Sequence, residues 1–131
     1  MKRFAFAIAA LMTLTAAAFA DEPAKTMETS LGKVLVDMKG MTLYTFDKDT
    51  KGAAMSACTD KCIAAWPPFL APADAKAEGE WTIVDVKDKD GAMKKMWAYN
   101  GWPLYYFVKD QKPGDVNGDM VGGVWHVVKE D

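Results

Sequence analysis

The sequence predicts a mainly β fold: antiparallel sheets built from two pseudo-repeated hairpin or meander units, with one short helix near a cysteine pair. Three observations carry this. Residues 35–49 align without a gap on residues 96–110 at a constant offset of 61, with six identities in fifteen positions: Gly40/Gly101, Leu43/Leu104, Tyr44/Tyr105, Phe46/Phe107, Lys48/Lys109 and Asp49/Asp110. Apolar and polar residues alternate with period two on both sides of each glycine, and β-branched or aromatic residues dominate, as in half-buried strands. Around Cys58 and Cys62, over residues 56–65, the composition turns to alanine and charge with the cysteines at i and i+4, which suits a short helix.

At the start of the chain, Lys2 and Arg3 precede an apolar stretch from Phe4 to Leu14, and Ala18-Phe19-Ala20 has the small-x-small pattern of a signal-peptidase site. Residues 1–20 are expected to be a signal peptide cut after Ala20, leaving 21–131 as a single β-rich domain in the periplasm or secreted. The apolar run is shorter than the roughly 20 residues of a spanning helix, so no membrane insertion is expected after cleavage. In the mature part, the repeats are expected at about 26–66 and 81–128, joined by a Pro/Ala-rich connection.

Residues 26–30, before Leu31-Gly32, read as the first strand, and Lys39-Gly40 turns the first hairpin. A helix is expected over 56–65, ended by Trp66-Pro67-Pro68 because proline lacks the amide donor. Residues 67–80 read as an extended surface connection. Residues 81–86 and 92–99 flank a Lys-Asp-Lys-Asp-Gly turn. Asn100-Gly101 is the strongest hairpin signal in the chain, since a type I′ turn requires positive φ at both central positions. Residues 124–128 close the chain as one more strand.

The doubled Tyr-x-Phe-x-x-Asp, carried by Tyr44, Phe46, Asp49 and by Tyr105, Phe107, Asp110, resembles the secreted-repeat family of bacterial envelope proteins defined by Yx(FWY)xxD. Gly40-Met-Thr-Leu-Tyr, the cysteine pair running into Trp66-Pro-Pro, Pro103-Leu-Tyr-Tyr-Phe and Gly123-Val-Trp125 resemble that family as well. The resemblance implies an envelope location and no established activity. Many members are lipoproteins, whereas this chain has no cysteine at the cleavage site to accept a lipid.

In a strand, Tyr44 and Phe46 share a face, and so do Tyr105 and Phe107. Each motif Asp falls where its strand enters a turn, and a carboxylate there accepts turn amides. A second reading makes these groups a shared aromatic and carboxylate site between the units. Two cysteines in an exported chain favour a disulfide, and a bridge across four residues requires the helix to be distorted, or to begin, between them. A redox-active pair is the sharper alternative, although the spacing is not Cys-x-x-Cys.

Without Lys2 and Arg3 the chain has 14 basic against 18 acidic residues, scattered among one another, so nothing points to nucleic acid. Asp115-Val-Asn117-Gly-Asp119 has alternating oxygen ligands but lacks the glycine and glutamate positions of a calcium loop. His126, the only histidine, reads as a strand residue. No catalytic constellation is present, and neither an enzyme nor a cofactor is expected. Two functions remain. The first is a non-catalytic binding or interaction module for an unknown envelope partner or small ligand, with Trp102 at a loop tip, Trp66 and Trp125 as candidate contacts. The second is a soft-metal protein for Cu(I), or a redox-linked one, using Met38, Met41, Met93, Met96 and the cysteine sulfurs.

Overall fold

The computed structural model describes residues 22–130, so the expected signal peptide and its cleavage site lie outside the described residues. The fold is mainly antiparallel β, with strands β1 (Ala24–Thr29), β2 (Gly32–Asp37), β3 (Tyr44–Phe46), β4 (Trp81–Lys87), β5 (Met93–Tyr99), β6 (Trp102–Pro103) and β7 (Trp125–Val127), and one α-helix, α1 (Lys61–Ala65). β1 pairs with β2, β4 with β5, β5 with β6, and β3 with β7.

Each unit starts as a hairpin followed by a third extended segment that carries the Tyr-x-Phe motif. In the second unit the turn is Asn100-Gly101, with φ of 52° and 87°, and Tyr99 pairs with Trp102 across it. The positive φ values are those of the I′ turn that returns a strand with the correct twist. In the first unit the turn is longer: Asp37 donates its amide to the Met41 carbonyl at 2.8 Å, leaving residues 38–40 in the loop. The loop difference changes the repeat register. From the glycines onward the offset is 61, but in the preceding strands the buried Val34 and Val36 correspond to the buried Met96 and Ala98.

Two expectations are corrected. The helix begins at Lys61, between the two cysteines as the bridge was expected to require, and does not reach back to Ser56, because Ser56 is extended and donates its amide to the Asp85 carbonyl at 2.9 Å. Residues 67–70 are not a surface connection. They run as a strand inside the second unit, where Pro68 pairs with Tyr105 and Leu70 with Met96. The Phe69 amide donates to the Leu104 carbonyl and the Trp97 amide to the Phe69 carbonyl, both at 2.9 Å. Proline is tolerated there because Pro67 contributes only its carbonyl, which accepts the Tyr106 amide at 2.7 Å.

The closing segment of the second unit does the same in the first. In β7, Val127 pairs with Tyr44 and Trp125 with Phe46, and beyond it Lys129 pairs with Val34. Residues 66–70 and 125–129 are therefore equivalent segments, each leaving its own unit to complete the other. A local twofold relates the halves where Tyr44 and Tyr105 exchange backbone bonds, amide to carbonyl, at 2.8 and 2.9 Å. Apolar side chains fill both sides of these strands: one cluster holds Val34, Val36, Tyr44, Met96 and Tyr105, and the other Leu35, Leu43, Phe69, Trp81 and Leu104.

Because each unit owns a strand of the other, replacing residues 74–77 with a protease site and cutting there is expected to leave the halves assembled. Size-exclusion chromatography should show one species of unchanged size that separates only in denaturant. Dissociation on cleavage would contradict the exchange.

Candidate functional site

The motif residues converge at the local twofold. Tyr44 donates its hydroxyl to Asp110 Oδ2 at 2.6 Å, and Tyr105 donates to Asp49 Oδ2 at 2.7 Å. Each tyrosine thus bonds the aspartate of the other motif. The second carboxylate oxygen accepts a loop amide: Ala57 to Asp49 at 2.7 Å, and Asn117 to Asp110 at 2.9 Å. Each phenol oxygen also accepts one bond. Gly118 donates its amide to Tyr44 at 3.0 Å. At Tyr105 the single phenolic hydrogen goes to Asp49, so Ser56 Oγ, at 2.5 Å, is the donor.

Trp66 and Trp125 lie between the two cages. Their rings stack at 3.7 Å and 2°, Trp125 stacks on Phe46 at 4.2 Å, and Trp66 stacks on Phe107 at 4.1 Å. The result is a four-ring column, Phe46, Trp125, Trp66 and Phe107, with each ring contact worth about 0.5–1.5 kcal/mol beyond area burial. Tyr44 meets the Trp66 edge at 5.5 Å and Tyr105 meets Trp125 at 5.2 Å. The candidate contacts Trp66 and Trp125 are consequently core residues, 5% and 4% exposed. The sequence signal for them was a tryptophan following each motif aspartate by 17 and 15 residues.

The halves differ in how the loop below each cage is held. Cys58 and Cys62 form a disulfide in the first. In the second, the amide contact to Tyr44 comes from Gly118, where a Cβ would come within 2.8 Å of Tyr44 Cζ and 2.9 Å of Trp66 Cη2. A side chain cannot be fitted there without moving the ring column. Within the loop suggestive of calcium, Asp115 caps the Gln111 and Lys112 amides and Asp119 accepts the Val127 amide, so these carboxylates serve backbone donors.

Burial and, next, the Asp110 carboxylate hold the Tyr44 hydroxyl well above the usual tyrosine range; burial and then the Asp49 charge do so for Tyr105. A third cross-unit pair, Tyr106 to Asp37 Oδ2 at 2.7 Å, raises Tyr106 in the same way, and burial followed by Glu80 pushes Tyr99 up to about 12. Burial also lifts Asp49 and Asp110 above the ordinary carboxylate value, against the lowering effect of their amide and phenol donors. These groups hold protons more tightly folded than unfolded. Each therefore contributes stability that is lost as pH rises: the carboxylates in the window just above their ordinary value, the phenols above pH 10.

The remaining candidates lie apart from the cages. Trp102 follows the Asn100-Gly101 turn and is half-buried. Met38 and Met93 are exposed, Met41 is half-buried, Met96 is enclosed in the core, and the cysteine sulfurs are bonded to each other. His126 Nε2 lies 2.8 Å from Asp47 Oδ2 on the surface of the first unit. Among the described residues, no group of three or more His, Cys, Asp or Glu side chains is placed to hold a metal ion.

The second unit carries two adjoining depressions. One, of about 320 Å³, is lined by the apolar Ile63, Pro67, Pro68, Leu70 and Val108 and by the charged Asp88, Lys89 and Asp90. The other, of about 360 Å³, is lined by Leu70, Ala71, Ala73, Met93, Lys94 and Lys95. Leu70 and Val108 are 48% and 53% exposed. Three of the equivalent places in the first unit are polar, while Val127 stands at the place of Pro68. Lys129 pairs with Val34 as Leu70 does with Met96. Asp47 bonds the Val124 carbonyl as Val108 does that of Ala65. His126 follows Trp125 as Pro67 follows Trp66.

These features define a strand-exchanged, two-unit β protein whose repeated motif is an internal lock. The chain belongs to the family described as a secreted repeat of unknown function, whose model matches residues 25–69 and 84–129. No curated protein and no solved structure matches it. Among the described residues, no helix is long and apolar enough to cross a membrane.

All four tyrosines are held above their ordinary value of 10.0. Spectrophotometric titration near 295 nm is expected to show almost no tyrosinate at pH 10.5 in the folded protein, then a cooperative rise together with loss of near-ultraviolet dichroism. Gradual ionisation of Tyr44, Tyr105 and Tyr106 near pH 10 in a folded protein would contradict the cages.

Proposed function

We propose that this chain is an exported, periplasmic, non-catalytic binding module, and that its contact surface is the apolar groove of the second unit, about Leu70 and Val108. One comparison carries the reading. The fold builds the same strand exchange in the first unit with Lys129, Asp47 and His126 at the places of Leu70, Val108 and Pro67. Folding therefore does not require apolar residues there, and exposed apolar surface in a concave site is what a binding partner uses. The motif is a poor candidate for contact, because its hydroxyls, carboxylates and ring faces are already engaged with one another. A Cu(I) site draws no support from sulfurs distributed between core, surface and a disulfide.

Copying the first unit supplies the test. The double variant Leu70→Lys/Val108→Asp is expected to keep its stability to within about 1 kcal/mol, since both positions are exposed. In heteronuclear NMR, titration of the native protein with an envelope extract should shift Ile63, Leu70, Val108 and their neighbours, and the double variant should show no such shifts. Shifts absent from the native protein, or confined to other surfaces, would contradict the proposal.

A further inference from the structure

The segment between Cys58 and Cys62 is held in a backbone geometry that its residues do not favour. Asp60 has φ 54° and ψ −117°, outside the allowed regions of a residue with a Cβ, and its side chain makes no capping bond to α1. Such a conformation persists only where the surroundings impose it. Here the bridge imposes it. In a continuous helix the Cβ atoms four residues apart lie about 5–6 Å from each other, farther than a disulfide spans, so the chain between the cysteines must leave the helical path. We propose that Cys58–Cys62 is an exchangeable disulfide, opened at Cys62 by an external dithiol and favoured to open by the relaxation of Asp60. This goes beyond the binding-module reading and does not depend on it.

The fold can do without the bridge. The bonds that close the first cage come from Ser56 and Ala57, both outside the bridged segment. The second unit closes its own cage through Asn117 and Gly118 with no cysteine at all. A ring this short removes little freedom from the unfolded chain, and strained or exposed disulfides are the readily reduced ones.

Exposure sets the point of attack. Cys58 is fully enclosed, whereas Cys62 is half-buried in a stretch whose Thr59, Asp60 and Lys61 are exposed. One thiolate of the dithiol bonds to Cys62 Sγ, the Cys58–Cys62 bond breaks, and its electron pair goes to Cys58 Sγ, which takes a proton. The second thiolate then attacks the sulfur of the first, and Cys62 leaves as a thiolate that solvent protonates. The dithiol ends as a disulfide and the cysteine pair as two thiols. Asp60 is then free to turn helical and extend α1 at its N-terminal end.

The mature protein, residues 21–131, equilibrated with mixtures of reduced and oxidised dithiothreitol and read by alkylation, mass spectrometry and NMR, tests this. The pair should be reduced while the sheet amides keep their shifts, and the Asp60 Cα shift should become helical. Asp60→Gly, which accepts the bent backbone, should move the equilibrium about tenfold toward the disulfide, whereas Asp60→Ala, which removes the charge but keeps the Cβ, should not. Iodoacetamide should label Cys62 in Cys58→Ser about tenfold faster than Cys58 in Cys62→Ser. Cys58→Ser/Cys62→Ser should fold, its unfolding equilibrium shifted by no more than about thirtyfold. A pair that resists dithiothreitol until the sheets unfold overturns the proposal, as does an Asp60→Gly equilibrium equal to the native one or the same shift in Asp60→Ala. Faster labelling of Cys58, or a double variant that does not fold, overturns it as well.

Discussion

A buried phenol must give its proton to something, and in this fold the acceptor for each motif tyrosine is a carboxylate in the other unit. Tyr44 reaches Asp110 and Tyr105 reaches Asp49, while each aspartate also ties down the loop that follows it through one amide. Leaving such a buried partner unsatisfied costs about 1–3 kcal/mol, more when it is charged. Neither unit can satisfy its own motif alone in this arrangement. The exchanged segments around Phe69 and Val127, and the ring column running through Trp66 and Trp125, follow the same rule of completion by the other half.

This division of labour separates what the fold needs from what its surface can vary. The interior is nearly the same in both halves, down to equivalent ring contacts and equivalent carboxylate bonds. Outside it, the halves diverge. One loop is held by the Cys58–Cys62 disulfide and the other by glycine packed on Tyr44. One flank carries a histidine against an aspartate, and the other an apolar groove about Leu70 and Val108. A repeat whose lock is internal can keep one surface polar and make the other a contact site at little cost to folding.

Much of this was legible in the residues. The offset of 61, the Asn100-Gly101 turn and the alternation on either side of each glycine led to two β units, and Tyr44, Phe46, Tyr105 and Phe107 have their expected shared faces. Other features depend on contacts between residues far apart in the chain, which a local pattern cannot reveal. Period two shows that Tyr44 and Asp49 lie near the same strand end, but not that each partners the opposite motif. Pro67-Pro68 reads as an irregular connection because the sequence gives no sign that Tyr106, Leu104 and Trp97 supply its pairing. Ser56 lies in a helix-favouring composition, yet its hydroxyl and amide are claimed by Tyr105 and Asp85, and the helix starts only after them. The one-residue slip in β2 was hidden because its two turns differ in length and the strand before the first glycine has no identities to mark the gap.

Double-mutant cycles on unfolding free energy, pairing Tyr44→Phe with Asp110→Asn and, separately, with Asp49→Asn, test the crossed lock most directly. Tyr44 with Asp110 should couple by about 1–3 kcal/mol, whereas Tyr44 with Asp49, members of one motif, should be additive to within about 0.5 kcal/mol. Strong coupling between Tyr44 and Asp49, with additivity between Tyr44 and Asp110, would show that each motif closes on itself and would contradict the exchange on which this account rests.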